Sequence, residues 1–153
     1  LLHIGTNVSE LYLSNHHSSV EYAALSYCWG GVEFLRTTLT NYSSLAENIE
    51  WSGLPNVFKD AIKVAYLLDL RYIWIDSVCI IQDSDDDWAQ ESALMAEVYS
   101  NASLTIAATS SPNANIGFLD ESHDPRYSPV TQLIPQKDGY LRRLNARRTL
   151  DNQ

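Results

Sequence analysis

Tyr72-Ile73-Trp74-Ile75-Asp76-Ser77-Val78-Cys79-Ile80-Ile81 is the stretch whose reading decides the fold. Its β-branched and aromatic side chains predict one buried strand packed on both faces. A single acid, Asp76, interrupts the apolar run. A buried carboxylate costs several kcal/mol or more unless it is paired or hydrogen-bonded. Asp76 is therefore either a structural pin or part of a ligand site at the strand's carboxyl end.

The elements around that strand alternate. Val20 to Trp29 reads as a second strand, and Gly30-Gly31 supplies the freedom for a sharp turn after it. Thr37 to Ser52 is polar and mixed, with a weak helical pattern around Tyr42 to Ile49. Leu54-Pro55 opens the clearest helix, because Pro suits a first helical turn. Val57, Phe58, Ala61, Ile62, Ala65 and Leu68 form its apolar stripe, and Lys59, Asp60 and Lys63 fall on the other side. Four Asp (83, 85, 86 and 87) precede a helix from about Trp88 to Tyr99, and acids favour such an N-terminus. Leu104 to Ala108 is another short buried strand, and 110–128 is loop-like. The order of strand, helix, strand, helix, strand predicts an α/β domain with a mostly parallel central sheet flanked by helices.

Bulk properties narrow the function. A chain of 153 residues suits one domain with a substantial core. Nineteen Asp and Glu against ten Lys and Arg give a formal charge of −9. That balance disfavours nucleic acid, whose binding rests on neutralising phosphates. Arg142, Arg143, Arg147 and Arg148 read as a solvated helix face in preference to a small basic patch. Cys28 and Cys79 make no disulfide framework and behave as small hydrophobes in strand-like segments. No run approaches the ~18 apolar residues of a membrane span. A reducing, cytoplasmic compartment is expected, with the sequons at Asn7, Asn41 and Asn101 unused. A chain that begins with Leu1 is expected to be a piece of a longer product.

Chemistry is expected beyond the carboxyl ends of the strands. Tyr27, Trp29 and Gly30 project there from one strand, and Asp76 and Ser77 from the next. A strand-to-loop turn with a core Trp explains the first group equally well. On the later helix, Trp88, Leu94, Met95, Val98 and Tyr99 define an apolar face at about 100° per residue. Glu91 falls in the middle of it. Such an acid either bonds to a neighbouring element or points into a cleft, where desolvation would raise its pKa. Glu91 and Asp76 lie on consecutive elements and could approach one pocket, as a carboxylate pair does in glycosidases. A cysteine–histidine site is disfavoured, since His3, His16, His17 and His123 lie in loop-like segments. No metal-ligand spacing, Walker loop or dinucleotide glycine fingerprint occurs.

These residues together resemble the fungal heterokaryon incompatibility (HET) domain. Tyr22-Ala23-Ala24-Leu25-Ser26-Tyr27-Cys28-Trp29-Gly30-Gly31 is similar to its opening motif, and Leu54-Pro55 with Phe58-Lys59-Asp60-Ala61-Ile62 to its second block. Leu70 to Asp83 is similar to the central block. Asp87-Trp88, Glu91-Ser92, Met95, Val98-Tyr99 and Asn101-Ala102 are similar to the third. Leu104 to Ala108 and Gly117-Phe118 continue the series. The resemblance implies a lead-in over 1–19, a domain core over 20–119, and a divergent or truncated part over 120–153. In that last part Leu144 to Leu150 begins like a family block but lacks its Trp and its Gln-Glu.

The resemblance also implies self/non-self recognition leading to programmed cell death. The family is held to be distantly similar to TIR domains, some of which cleave NAD at the nicotinamide–ribose bond. It thus implies a TIR-like or flavodoxin-like three-layer architecture. It further implies Glu91 as the catalytic acid, with Tyr27, Trp29, Gly30, Asp76 and Ser77 holding NAD as a substrate and no permanently bound cofactor. The rival is a non-catalytic module that nucleates a death-inducing complex, as a homo-oligomer or with a signalling partner.

Overall fold

A computed structural model describes residues 1–5, 10–14 and 20–119, and the backbone of 127–135 and 141–149. It divides into two compact units, Leu1–Phe118 and Leu119–Gln153. In the second, β6 (Tyr127–Pro135) and β7 (Leu141–Thr149) form an antiparallel pair in which Thr131 faces Asn145.

The first unit is built on a five-stranded sheet in the order β2-β1-β4-β3-β5. The strands are β1 (Leu2–Ile4), β2 (Leu11–Leu13), β3 (Ala23–Ser26), β4 (Tyr72–Trp74) and β5 (Leu104–Ala107). β3 pairs in parallel with both β4 and β5. β1 pairs antiparallel with β4 and with β2. The α/β class therefore holds, but the expected mostly parallel sheet is a mixed one. Two three-residue strands from the lead-in cause the difference. Leu2, Ile4 and Leu11 in them are fully buried, so they belong to the core. Strands this short carry too little alternation to announce themselves.

α1 (Tyr42–Glu47) and the helix α2 (Asn56–Leu67) connect β3 to β4. The predicted stripe on α2 is the one that packs. Val57, Phe58, Ala61, Ile62 and Ala65 are all fully buried against Ile73, Ile75 and Leu25 in one cluster. Burying such side chains is worth ~1.5–3 kcal/mol for each large one.

The Tyr72–Ile81 stretch is not one strand. β4 ends at Trp74, and Asp76–Cys79 forms α3, a single helical turn. The N–H groups of Val78 and Cys79 donate to the Ile75 carbonyl at 3.0 and 2.7 Å. Ile75 and Val78, both fully buried, are three residues apart, which suits a helical turn as well as a strand. Thr37 fixes the turn from outside. Its N–H donates to Ser77 O at 2.9 Å, and its carbonyl accepts from Gln82 N at 2.8 Å.

α4 (Asp85–Asn101) starts at Ser84, whose side chain accepts from Asp87 N–H. It buries no residue fully. Trp88 and Leu94, expected on its apolar face, are 56% and 40% exposed. Polar contacts hold the helix instead. Tyr22 Oη donates to Val98 O at 2.6 Å and Tyr99 Oη to Leu25 O at 3.0 Å.

Asp60 corrects a further expectation. It lies on the packed side of α2, and its carboxylate accepts Phe118 N–H at 2.9 Å. Lys63 reaches the other oxygen at 3.4 Å. A Cβ at Gly117 would collide with Asp60 Oδ2, so any larger residue there would have to push the carboxylate aside. Val57 N–H and the Asn56 side chain bond the same segment at Ala114 O and Asn115 O.

Removing the Asp60 carboxylate strands a backbone donor at the Phe118 end. Asp60→Ala is expected to destabilise the fold by about 1–3 kcal/mol, read as a lower urea midpoint. Lys63→Ala, on the half-exposed partner, should stay within about 1 kcal/mol of the parent protein.

Candidate functional site

The predicted site residues fall into two groups. The first surrounds Asp76 at the start of α3. Trp29 Nε1 donates to Asp76 Oδ2 at 3.0 Å, and Ser77 N–H donates to Asp76 Oδ1 at 2.6 Å. Tyr27 Oη donates to Ser77 Oγ at 2.8 Å. Both carboxylate oxygens are thus occupied by protein donors.

Rings hold these donors in place. Tyr27 meets Phe58 edge-on with centroids 5.2 Å apart, and Trp29 meets Phe34 at 5.5 Å. The Arg36 guanidinium lies 5.8 Å from the Trp29 ring centre. Burial pushes the Tyr27 hydroxyl's pKa well above the tyrosine range, and the nearby Asp76 charge adds to the shift. Burial and then Asp76 push Tyr99 the same way. Gly30, at φ +70°, turns the chain after Trp29 where a Cβ would strike Asn113. Tyr27, Trp29, Asp76 and Ser77 therefore make a self-satisfied polar knot.

The second group surrounds Glu91. An open cleft of about 630 Å³ runs beside α4, lined among others by Tyr22, Tyr42, Trp74, Asp87, Gln90 and Glu91. Glu91 is half-exposed on its wall and accepts no hydrogen bond among the described residues. Partial burial raises its pKa, and Asp87 one turn earlier raises it further. Asp87 itself is fixed, because Oδ2 accepts Ile81 N–H at 2.7 Å.

Asp76, Ser77, Tyr27, Trp29 and Gly30 are absent from the cleft lining. Trp74 lies between the groups, on the cleft and 5.5 Å centroid to centroid from Tyr99. The sequence reading missed Tyr22 and Tyr42. Tyr22 heads the first motif, but its role depends on a hydroxyl contact 76 residues away.

Other chemistries find less support. His3 is packed against the rings of Tyr12 and Tyr72, at 4.6 and 5.1 Å. His16, His17 and His123 lie outside the described residues. Cys28 is exposed, unlike the apolar setting expected of it, and Cys79 is half-buried on the cleft. No three His, Cys, Asp or Glu side chains converge as a metal site among the described residues. No described helix is long and apolar enough to cross a membrane.

The family model described as heterokaryon incompatibility protein (HET) matches residues 22–151. The chain belongs to the heterokaryon incompatibility family. No curated protein and no solved structure matches it. The HET match begins at Tyr22, on the cleft, and includes both the Asp76 knot and α4. It also runs beyond Phe118 through the Arg-rich β7, past the motifs that carried the resemblance.

Two measurements probe these groups. Trp29→Phe keeps an aromatic side chain but removes the N–H from Asp76, and should cost about 1.5–3 kcal/mol in urea unfolding, as for a bond to a charged group. Glu91 has a folded pKa above its ordinary 4.5, so its ionisation opposes folding. The associated stability is complete below that value and is lost as pH rises through the folded pKa. Glu91→Gln should therefore raise the melting temperature at pH 7 and leave it unchanged near pH 4.

Proposed function

We propose that this HET domain acts in fungal self/non-self recognition and programmed cell death by hydrolysing NAD at the nicotinamide–ribose bond. The reaction would occur in the cytoplasm, once the protein has assembled as a homo-oligomer or with a signalling partner. NAD is the substrate in this reading, and no cofactor is permanently bound. The distant similarity to TIR domains, with their layered α/β architecture, suggests the reaction. The observation that carries it here is Glu91, a carboxylate without a donor among the described residues, on the wall of an aromatic-lined cleft.

In the reaction the glycosidic bond breaks with its electron pair leaving on the nicotinamide nitrogen. Water adds to the ribose carbon and releases a proton. Glu91 would stabilise the oxocarbenium-like centre and accept that proton, for which a raised pKa is an advantage. Asp76, Tyr27 and Trp29 would support the site through the strand ends rather than touch the substrate, since their polar atoms are engaged with one another.

A second reading has its own observation. Trp88 on α4 is 56% exposed, which suits a non-catalytic module that docks a partner through this helix and nucleates a death complex. Free nicotinamide, measured after incubating assembled protein with NAD, separates the two. The parent protein should release it, and Glu91→Gln should be slower by about 100-fold or more. Equal rates would remove Glu91 from the chemistry. No release from assembled parent protein would leave the module.

A further inference from the structure

The α4 cleft carries more acid than base. Asp87 and Glu91 line it, and no Lys or Arg does so among the described residues. Residues 1–118 as a whole hold fourteen Asp and Glu against four Lys and Arg. A phosphate would enter against that field, and a cation with it.

Asp87 and Glu91 are one turn apart on the same helix and reach the same cavity. Ile81 N–H keeps Asp87 from turning away. A cation between them would relieve their mutual repulsion. The remaining lining includes Tyr22, Tyr42 and Trp74, of which Trp74 is only 3% exposed, and the Tyr22 ring is tethered through its hydroxyl to Val98. Aromatic rings beside carboxylates favour a flat cationic group over a neutral one of the same shape.

We propose that this cleft binds an aromatic cation of the pyridinium class and leaves phosphate groups outside. The choice of heterocycle rests on the NAD-cleaving reading, and the charge preference deepens it. A dinucleotide then enters with its positively charged ring first, and its pyrophosphate stays in solvent beyond the acids. Cleavage discharges the ring, because the leaving nitrogen keeps the bond's electron pair. The neutral product therefore loses the interaction that held the substrate, and the same cleft discriminates against a reduced, uncharged dihydropyridine ring.

Titrations of the full chain, followed by tryptophan fluorescence, test this with three probes: 1-methylnicotinamide, nicotinamide and nicotinamide mononucleotide. The methylated cation should bind at least about tenfold more tightly than neutral nicotinamide, a difference within the cation–π range. The mononucleotide should bind no more tightly than the methylated cation. Glu91→Gln should shrink the preference for charge while its circular dichroism stays that of the parent. Equal binding of charged and neutral rings, tighter binding of the mononucleotide, no binding of the cation, or a preference untouched by Glu91→Gln would each overturn the proposal. Nicotinamide release without charge preference would sink this inference alone. Charge preference without release would sink the hydrolase reading alone.

Discussion

The Asp76 carboxylate is the constraint on which the rest of the molecule depends. It stands where β4 stops and the chain must turn toward α4. Ser77 N–H and Trp29 Nε1 satisfy its two oxygens, and Gln82 Nε2 bonds its carbonyl at 3.2 Å. Through Trp29 it ties the segment after β3 to the segment after β4. Thr37, later in the same connection after β3, adds a second attachment to the turn. Two connections are thereby fixed at the carboxyl ends of two parallel strands, where a half-exposed acid would otherwise be an expense without return.

α4 is held on different terms. It carries no fully buried residue, and Tyr22 and Tyr99 attach it by hydroxyls that donate to backbone carbonyls, Val98 on the helix and Leu25 off it. Contacts of that kind fix position without demanding close apolar packing along the whole helix. The cleft survives for that reason. Tyr99 packs its ring on Trp74, and a continuous apolar stripe along the rest of the helix would have closed the space beside Glu91. The polar attachment and the acid without a donor among the described residues are two aspects of one arrangement.

What could be read from the chain followed from period and length. The α2 stripe was legible because five of its apolar positions recur at helical spacing and all are buried. Glu91 was legible as an acid within a patterned helix, although Trp88 and Leu94, which defined that pattern, are exposed. The end of β4 was not legible. Ile75, Val78 and Ile80 satisfy both a buried strand and a strand that breaks into one turn, and partners far away in sequence, Tyr27, Trp29 and Thr37, distinguish them. Asp60 was placed toward solvent for a similar reason, since its partner at Phe118 is 58 residues distant. The lead-in strands were hidden by brevity, and their antiparallel pairing turned a parallel expectation into a mixed sheet. Local signals name elements; distant polar partners decide where they end.

The contact between Asp60 and Gly117 has a consequence for how such chains can change over time. The carboxylate occupies the volume a side chain at 117 would need, and it feeds the backbone donor of the next residue. A change at either position is therefore felt at the other. An added side chain at 117 must push the Asp60 carboxylate aside, which takes the acceptor from the Phe118 amide. The two sites form one coupled pair spread across 57 positions of the chain, so the effect of a substitution at one depends on the residue at the other.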